Sequence, residues 1–265
     1  GMWKSTPLQG STVTVQLVFC SMCCNIWSSP RVVPALELYQ GIKVIFDYFD
    51  EIRIINLAAR KDRRAKMRSE LRRVGIADDP RVEFFDAISF PDAGSFSSPG
   101  ARGVYHSQLA ILDEAAKRGH SVLIIEDDVD FVEGAENFVP AEDWAIFYGG
   151  YYADDPRNLH ASDIVGAHMM GFSAAIVPVV ADYLRSISFD GIHPPIDGAY
   201  VWFRRAHPEV STLFARPPLG HQRPSRSDIA DLQFYDKLPV FRQGAAAARS
   251  VKRSIKNIFR PSLAS

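Results

Sequence analysis

The sequence predicts an α/β fold with a mixed, mainly parallel sheet flanked by helices. Three observations predict it. Strand-like and helix-like patterns alternate from Ile52 onward, the run Val122-Leu123-Ile124-Ile125 is unbroken and apolar, and Gly75 and Gly119 stand where helices should stop.

Ile52 to Asn56 reads as the first strand. Asp62 can then cap a helix that carries Met67, Leu71 and Val74 on one face. A short strand follows at Val82 to Phe85. The Gly/Ser/Pro-rich stretch Pro91 to Gly100 is a loop by composition, and a second helix places Leu109, Leu112 and Ala116 on a shared face. The apolar run from Val122 suits a central strand buried on both sides. Trp144 to Tyr148 and Phe172 to Val177 read as further strands, and Tyr200 to Ala206 as a helix. No internal repeat is visible.

Apolar residues make up 47% of the 265 and the formal net charge is −1, so the chain can bury a sizeable core and is not expected to coat a polyanion such as nucleic acid. The expected organisation is an N-terminal extension over residues 1–50, a catalytic domain over 51–240 and a basic helical tail over 241–265. In the extension, Val13, Val15, Leu17 and Phe19 alternate as in a strand, which is preferred over a signal peptide because no small-residue cleavage site follows. Cys20, Cys23 and Cys24 are crowded together with no partners for a zinc tetrahedron, and read as buried or free thiols of a reducing compartment. No run reaches the roughly 20 apolar residues of a membrane-spanning helix. A cytoplasmic protein, at most peripheral at the inner membrane face, is expected.

The most informative feature is Glu126-Asp127-Asp128, directly after the buried strand. Open α/β sheets bind ligands at that end. Adjacent carboxylates repel, so crowding them calls for a cation, a hydrogen-bond network or solvent. As hard oxygen ligands they suit Mn²⁺ or Mg²⁺, with a bound diphosphate completing the shell. A solvated acidic loop is the plain alternative. Arg60, Lys61, Arg63 and Arg64 follow the first strand, either as the wet side of a helix or as contacts to a nucleotide's base, ribose or phosphate.

Several of these residues carry a family resemblance. Ile54-Ile55-Asn56-Leu57 with Arg60, Asp62 and Arg63 resembles the opening motif of glycosyltransferase family 25, the lipopolysaccharide and procollagen galactosyltransferases. Gly103 with Ser107, then Leu123 through Asp128, resemble its second and third motifs. Pro195-Ile196-Asp197, and Gln222 with Ser227-Asp228-Ile229, resemble its C-terminal signatures. In order, these cover Ile52 to Ile229. One departure is that Gln108 follows Ser107 where the family has histidine.

The resemblance implies a GT-A type fold, a nucleotide-sugar donor that is commonly UDP-galactose, and transfer with inversion to a saccharide or glycolipid acceptor of a surface glycan. It implies donor contacts from Asn56, Leu57, Arg60, Arg63, Ser107 and Gln222. Asp128 is expected as the principal metal carboxylate, helped by Glu126 or Asp127, with His221 in a late loop as a further candidate. Asp127 and Asp197 are the expected catalytic carboxylates. Asp197 is the candidate base, its alternative being a helix N-cap.

Two rivals are a sugar nucleotidyltransferase and a catalytically silent carbohydrate-binding relative. The first should carry a glycine-rich phosphate loop, and Asn56 to Arg64 contains no glycine. In the tail, Val251, Ile255, Ile258 and Phe259 follow helical spacing beside Arg249, Lys252, Arg253, Lys256 and Arg260. That stripe either meets an anionic membrane or packs on the domain.

Overall fold

In the computed structural model the described residues are 43–141 and 143–223. The strand expected around Val13, the three cysteines, the Ser227-Asp228-Ile229 signature and the tail helix lie outside them.

The chain builds a six-stranded sheet from β1 (Glu51–Asn56), β2 (Val82–Asp86), β3 (Val122–Glu126), β5 (Ile146–Ala153), β6 (Ile164–Phe172) and β7 (Thr212–Phe214), in the order β2-β1-β3-β6-β5-β7. β1 pairs in parallel with β2 and β3, and β5 with β7, while β6 runs antiparallel to both its neighbours. Five strands therefore share one direction, and their carboxyl ends meet at one edge. A second ladder joins β4 (Val129–Phe131) to β8 (Gly220–Gln222).

The sheet is apolar on both sides because alternate residues of each strand point to opposite faces. Val122 and Ile124 meet Tyr105, Ile111, Leu112 and Ala115 of α2 (Pro99–Arg118), together with α3 (Val177–Ser186) and α4 (Ile196–Ala206). Leu123 and Ile125 meet Met67 and Leu71 of α1 (Lys61–Arg73), and Ile45, Phe46 and Phe49 of the short segment before β1. β3 is thus a doubly covered central strand, as its unbroken apolar run requires.

Some elements depart from the expectation. Arg60, not Asp62, is the N-cap of α1, and Asp62 sits in its first turn, where a carboxylate favours the helix dipole. The buried face of α2 runs through Tyr105, Gln108, Ile111, Leu112 and Ala115, a rotation from the expected Leu109-Leu112-Ala116 face. The strand expected at Phe172 to Val177 ends at Phe172, and Val177 opens α3 with Pro178 in its first turn. The missed part of β6 contains Gly166, His168 and Gly171, which break an apolar strand pattern. Their size is dictated by neighbours: a Cβ on Gly150 of β5 would lie 2.4 Å from the His168 ring, and one on Gly171 would lie 2.5 Å from Phe49.

β1 is anchored at its start by Glu51, which is buried and takes Arg118 Nε at 2.5 Å, Arg118 Nη2 at 2.8 Å and His120 Nδ1 at 2.6 Å. Burial works to raise the Glu51 carboxyl, but the hydrogen bonds from Arg118 and His120 and the charge of Arg53 outweigh it and hold it below its ordinary value. A depressed carboxyl contributes stability that is complete above the unfolded value, about 4.3, and is lost as pH falls through the folded one. Glu51→Gln should therefore lower the urea midpoint at pH 7 and flatten the loss of stability below about pH 4.3. Parallel acid-side slopes in variant and parent would contradict this.

Candidate active site

The acidic residues sit where β3 ends, at the shared carboxyl edge of the sheet. Glu126 closes the strand, and Asp127 and Asp128 form the turn into β4. Asp127 and Asp128 are both buried. The turn is held from three directions. From the end of β1, Asn56 Nδ2 donates to Asp127 Oδ2 at 2.6 Å. From the first turn of α1, Arg63 Nη1 reaches Asp127 Oδ1 at 2.9 Å and Asp128 Oδ2 at 3.1 Å. From β8, Gln222 Nε2 donates to Glu126 Oε2 at 2.7 Å.

One guanidinium therefore spans two adjacent carboxylates and offsets their repulsion. Among the described residues no cation pairs with Glu126 in this way. Burial first, then the neighbouring Asp128 charge, push its carboxyl up to about 8, with Gln222 pulling the other way and Asp197 and Asp127 adding to the rise.

Arg223 completes the hold on this turn. Its backbone N–H donates to the Asp128 carbonyl at 2.7 Å, Nη2 donates to the Asp127 carbonyl at 2.8 Å, and Nε stands 2.8 Å from Asp130. Its only sequence signal is adjacency to Gln222. β8 can approach because residue 220 is glycine, where a Cβ would lie 2.6 Å from Val129. His168, fully buried, holds the Gly220 carbonyl through Nε2 at 3.1 Å. Burial presses its imidazole down to about 4, against the lift of that carbonyl, so the ring is neutral near pH 7.

Asp197 lies in the first turn of α4, with Pro195 as the N-cap, so Asp197 is not the cap of that helix. Its Oδ2 accepts from the Gly166 backbone N–H at 2.7 Å and its Oδ1 from that of Gly198 at 2.9 Å. The carboxylate thereby ties α4 to the start of β6, at the edge occupied by Glu126.

The expected site residues divide. Asn56, Arg63, Asp127 and Asp128 form one hydrogen-bonded group, and Gln222 with Glu126 a second that adjoins it along the chain. Arg60 pairs with its near neighbour Asp62 at 2.8 Å, and Leu57 is 45% exposed in the β1–α1 turn. Ser107 faces inward. Its fully buried hydroxyl donates to the Gly103 carbonyl at 2.7 Å and accepts from the Ile88 N–H at 2.8 Å, joining α2 to the loop after β2. Gly103 is required there, since a Cβ would meet the Ile88 carbonyl at 2.5 Å. Gln108 is likewise in the core, with Oε1 accepting from Tyr200 at 2.7 Å.

His221 is opposite Asp130 in the β4–β8 register. Alternation along β8 turns it to the face away from Gln222, and its electrostatic neighbours are Asp130 and His168. Among the described residues no group of three or more His, Cys, Asp or Glu side chains stands in metal-holding geometry. No described helix is long and apolar enough to cross a membrane.

No protein-family model and no curated protein matches the chain. Among solved structures, the chain is similar to a glycosyltransferase involved in glycosylation of the major capsid of PBCV-1, at 11% identity and TM-score 0.43, over 68% of this chain and 98% of that one. It is similar to the apo-form glycosyltransferase GlyE of Streptococcus pneumoniae TIGR4, at 10% identity and TM-score 0.37, over 67% of this chain and 55% of that one. It is also similar to a putative glucose-1-phosphate thymidylyltransferase of Bacillus anthracis in complex with a sucrose, at 11% identity and TM-score 0.34, over 63% and 67%.

Proposed function

We propose that the chain is a metal-dependent glycosyltransferase of the family 25 type. In this reading it moves a hexose, galactose in the first instance, from a UDP-sugar to a saccharide or glycolipid acceptor of a surface glycan, with inversion. The observation that carries the reading is the Glu126-Asp127-Asp128 turn at the carboxyl edge of β3, held by Asn56, Arg63 and Gln222.

The donor set fits a hard divalent cation. Glu126 and Asp128 are near enough for the charge of one to raise the carboxyl of the other. Two carboxylates with a substrate diphosphate are a common shell for Mg²⁺ or Mn²⁺, so a third protein ligand is not required. Glu126 and Asp128 would hold the ion, which when bound offsets charge on the departing diphosphate.

The protein's own residues supply the rest. Arg63 stays on Asp127 and Asp128, fixing the turn and adding positive charge beside the diphosphate. The Oδ1 of Asn56 is buried with no hydrogen-bond partner among the described residues, and can accept a ribose hydroxyl or a base N–H. Asp197 is the proposed base that takes the proton of the attacking acceptor hydroxyl. Its influence on Glu126 supports a position at the reacting edge.

A thermal-shift panel of UDP-galactose, UDP-glucose and a dTDP-sugar, each with Mn²⁺ and with chelator, tests the reading. Ligand at 100 times its dissociation constant adds about 2.7 kcal/mol to stability. A Mn²⁺-dependent rise with a UDP-sugar is the expected result. The lack of a rise with every one of these nucleotide sugars, with Mn²⁺ and with chelator alike, would remove the reading.

A further inference from the structure

The carboxyl edge carries a second surface, built by the loop after β2 and the loop between α3 and α4. His193 lies between two phenyl rings, stacked on Phe96 at 4.1 Å and 25° and tilted against Phe189 at 4.4 Å. His106 packs on Phe90 at 5.1 Å and on Phe96 at 5.8 Å. The two loops are joined by the His193 N–H, which donates to the Ser95 carbonyl at 2.8 Å. The outer rim is open, with Phe189 37% and Ile192 48% exposed. His193 is four positions before Asp197, which holds the start of β6 at the same edge.

This surface is apolar yet carries selected polar atoms. His193 Nδ1 is 2.8 Å from the Pro194 carbonyl and so bears the proton, which leaves Nε2 an acceptor. The charged side chains of these loops and of the first turn of α2 are Asp92, the exposed Asp190 and Arg102. Burial lowers both imidazoles, His106 also under the charge of Arg102, and keeps them neutral near pH 7. The nearby cation, Arg102, is taken by Asp92 at 2.7 Å and lies over the Phe90 ring at 3.9 Å. Among the described residues of these loops a nucleotide diphosphate finds no uncommitted cation. A neutral pyranose does fit, with its C–H face on an aromatic ring and its hydroxyl rim on imidazole nitrogens.

We propose that Phe189, His193 and Ile192 form a saccharide-binding wall, against which the acceptor sugar stacks with its hydroxyl turned to the acidic edge. The acceptor role rests on the transferase reading above; the affinity for a neutral sugar does not.

Saturation-transfer NMR on the full chain tests it, using the methyl glycosides of galactose, glucose and N-acetylglucosamine at millimolar concentration, with UDP plus Mn²⁺ titrated in parallel. Transfer to at least one glycoside is expected for the parent. It should be about tenfold weaker for Phe189→Ala, given the half-buried ring area lost, with UDP affinity unchanged. His193→Ala, which keeps the backbone link to Ser95, should weaken it comparably. The wall is refuted if no glycoside responds to the parent, if both variants bind glycosides as the parent does, or if they lose UDP in equal measure. A parent that binds a glycoside through Phe189 but never UDP keeps the wall and removes the transferase reading.

Discussion

Asp128→Ala is expected to abolish Mn²⁺-dependent binding of a UDP-sugar and to lower turnover by about 10²-fold or more, because charge stabilisation at the leaving group is lost. The fold should survive. Arg63 keeps its contact with Asp127 at 2.9 Å, and Arg223 holds residue 128 through the backbone carbonyl, which alanine retains. Removing the Asp128 charge also removes one cause of the high Glu126 value, so crowding eases. In the parent, a cation that needs Glu126 ionised must displace a proton from a carboxyl pushed up to about 8, so Mn²⁺ affinity should rise between pH 6 and about pH 8. Calorimetric titrations of both proteins at two pH values measure this. A variant that binds and turns over like the parent would remove Asp128 from the metal site.

Asp197→Asn is expected to act twice. Each carboxylate oxygen accepts a backbone N–H, from Gly166 at 2.7 Å and from Gly198 at 2.9 Å. The amide offers one carbonyl oxygen, so its NH₂ must face the other N–H, and a buried donor left unsatisfied costs about 1–3 kcal/mol. As the proposed base, Asp197 should also be needed in the transition state, lowering turnover by about 10²-fold with donor affinity kept. Denaturant midpoints and turnover per folded molecule separate the two effects. Normal turnover per folded molecule would leave Asp197 as the anchor of α4 alone.

The fold is legible wherever burial on both sides forces an unbroken apolar run, as in β3, or burial on one side a clear period, as in α1. β6 was misplaced because its glycines and histidine answer to β5 across the sheet, a relation between residues distant in sequence that no local pattern carries. The acidic triplet stood out by composition and position. Its supports did not: Asn56 lies 71 residues from Asp127, and Gln222 lies 96 from Glu126. The family resemblance brought Asn56, Arg63 and Gln222 into consideration, but nothing in the sequence said that Ser107 and Gln108 face the core. Arg223 and the Phe189–His193 surface left no motif.

The acidic turn runs straight into β4, a three-residue strand whose ladder partner among the described residues is the equally short β8, whereas the central sheet carries six strands. A ladder of three residue pairs bears far less free energy of opening than the sheet it adjoins. The amide protons of Val132, which donates to the Leu219 carbonyl at 2.8 Å, and of Arg223, which donates to that of Asp128 at 2.7 Å, should therefore exchange through a local event while those of β1, β3 and β6 wait for global unfolding. The same event would release the grip of Gln222 on the Glu126 carboxylate and of Arg223 on the Asp127 and Asp128 carbonyls, so the acidic turn adjoins a part of the described fold that opens more easily than the central sheet.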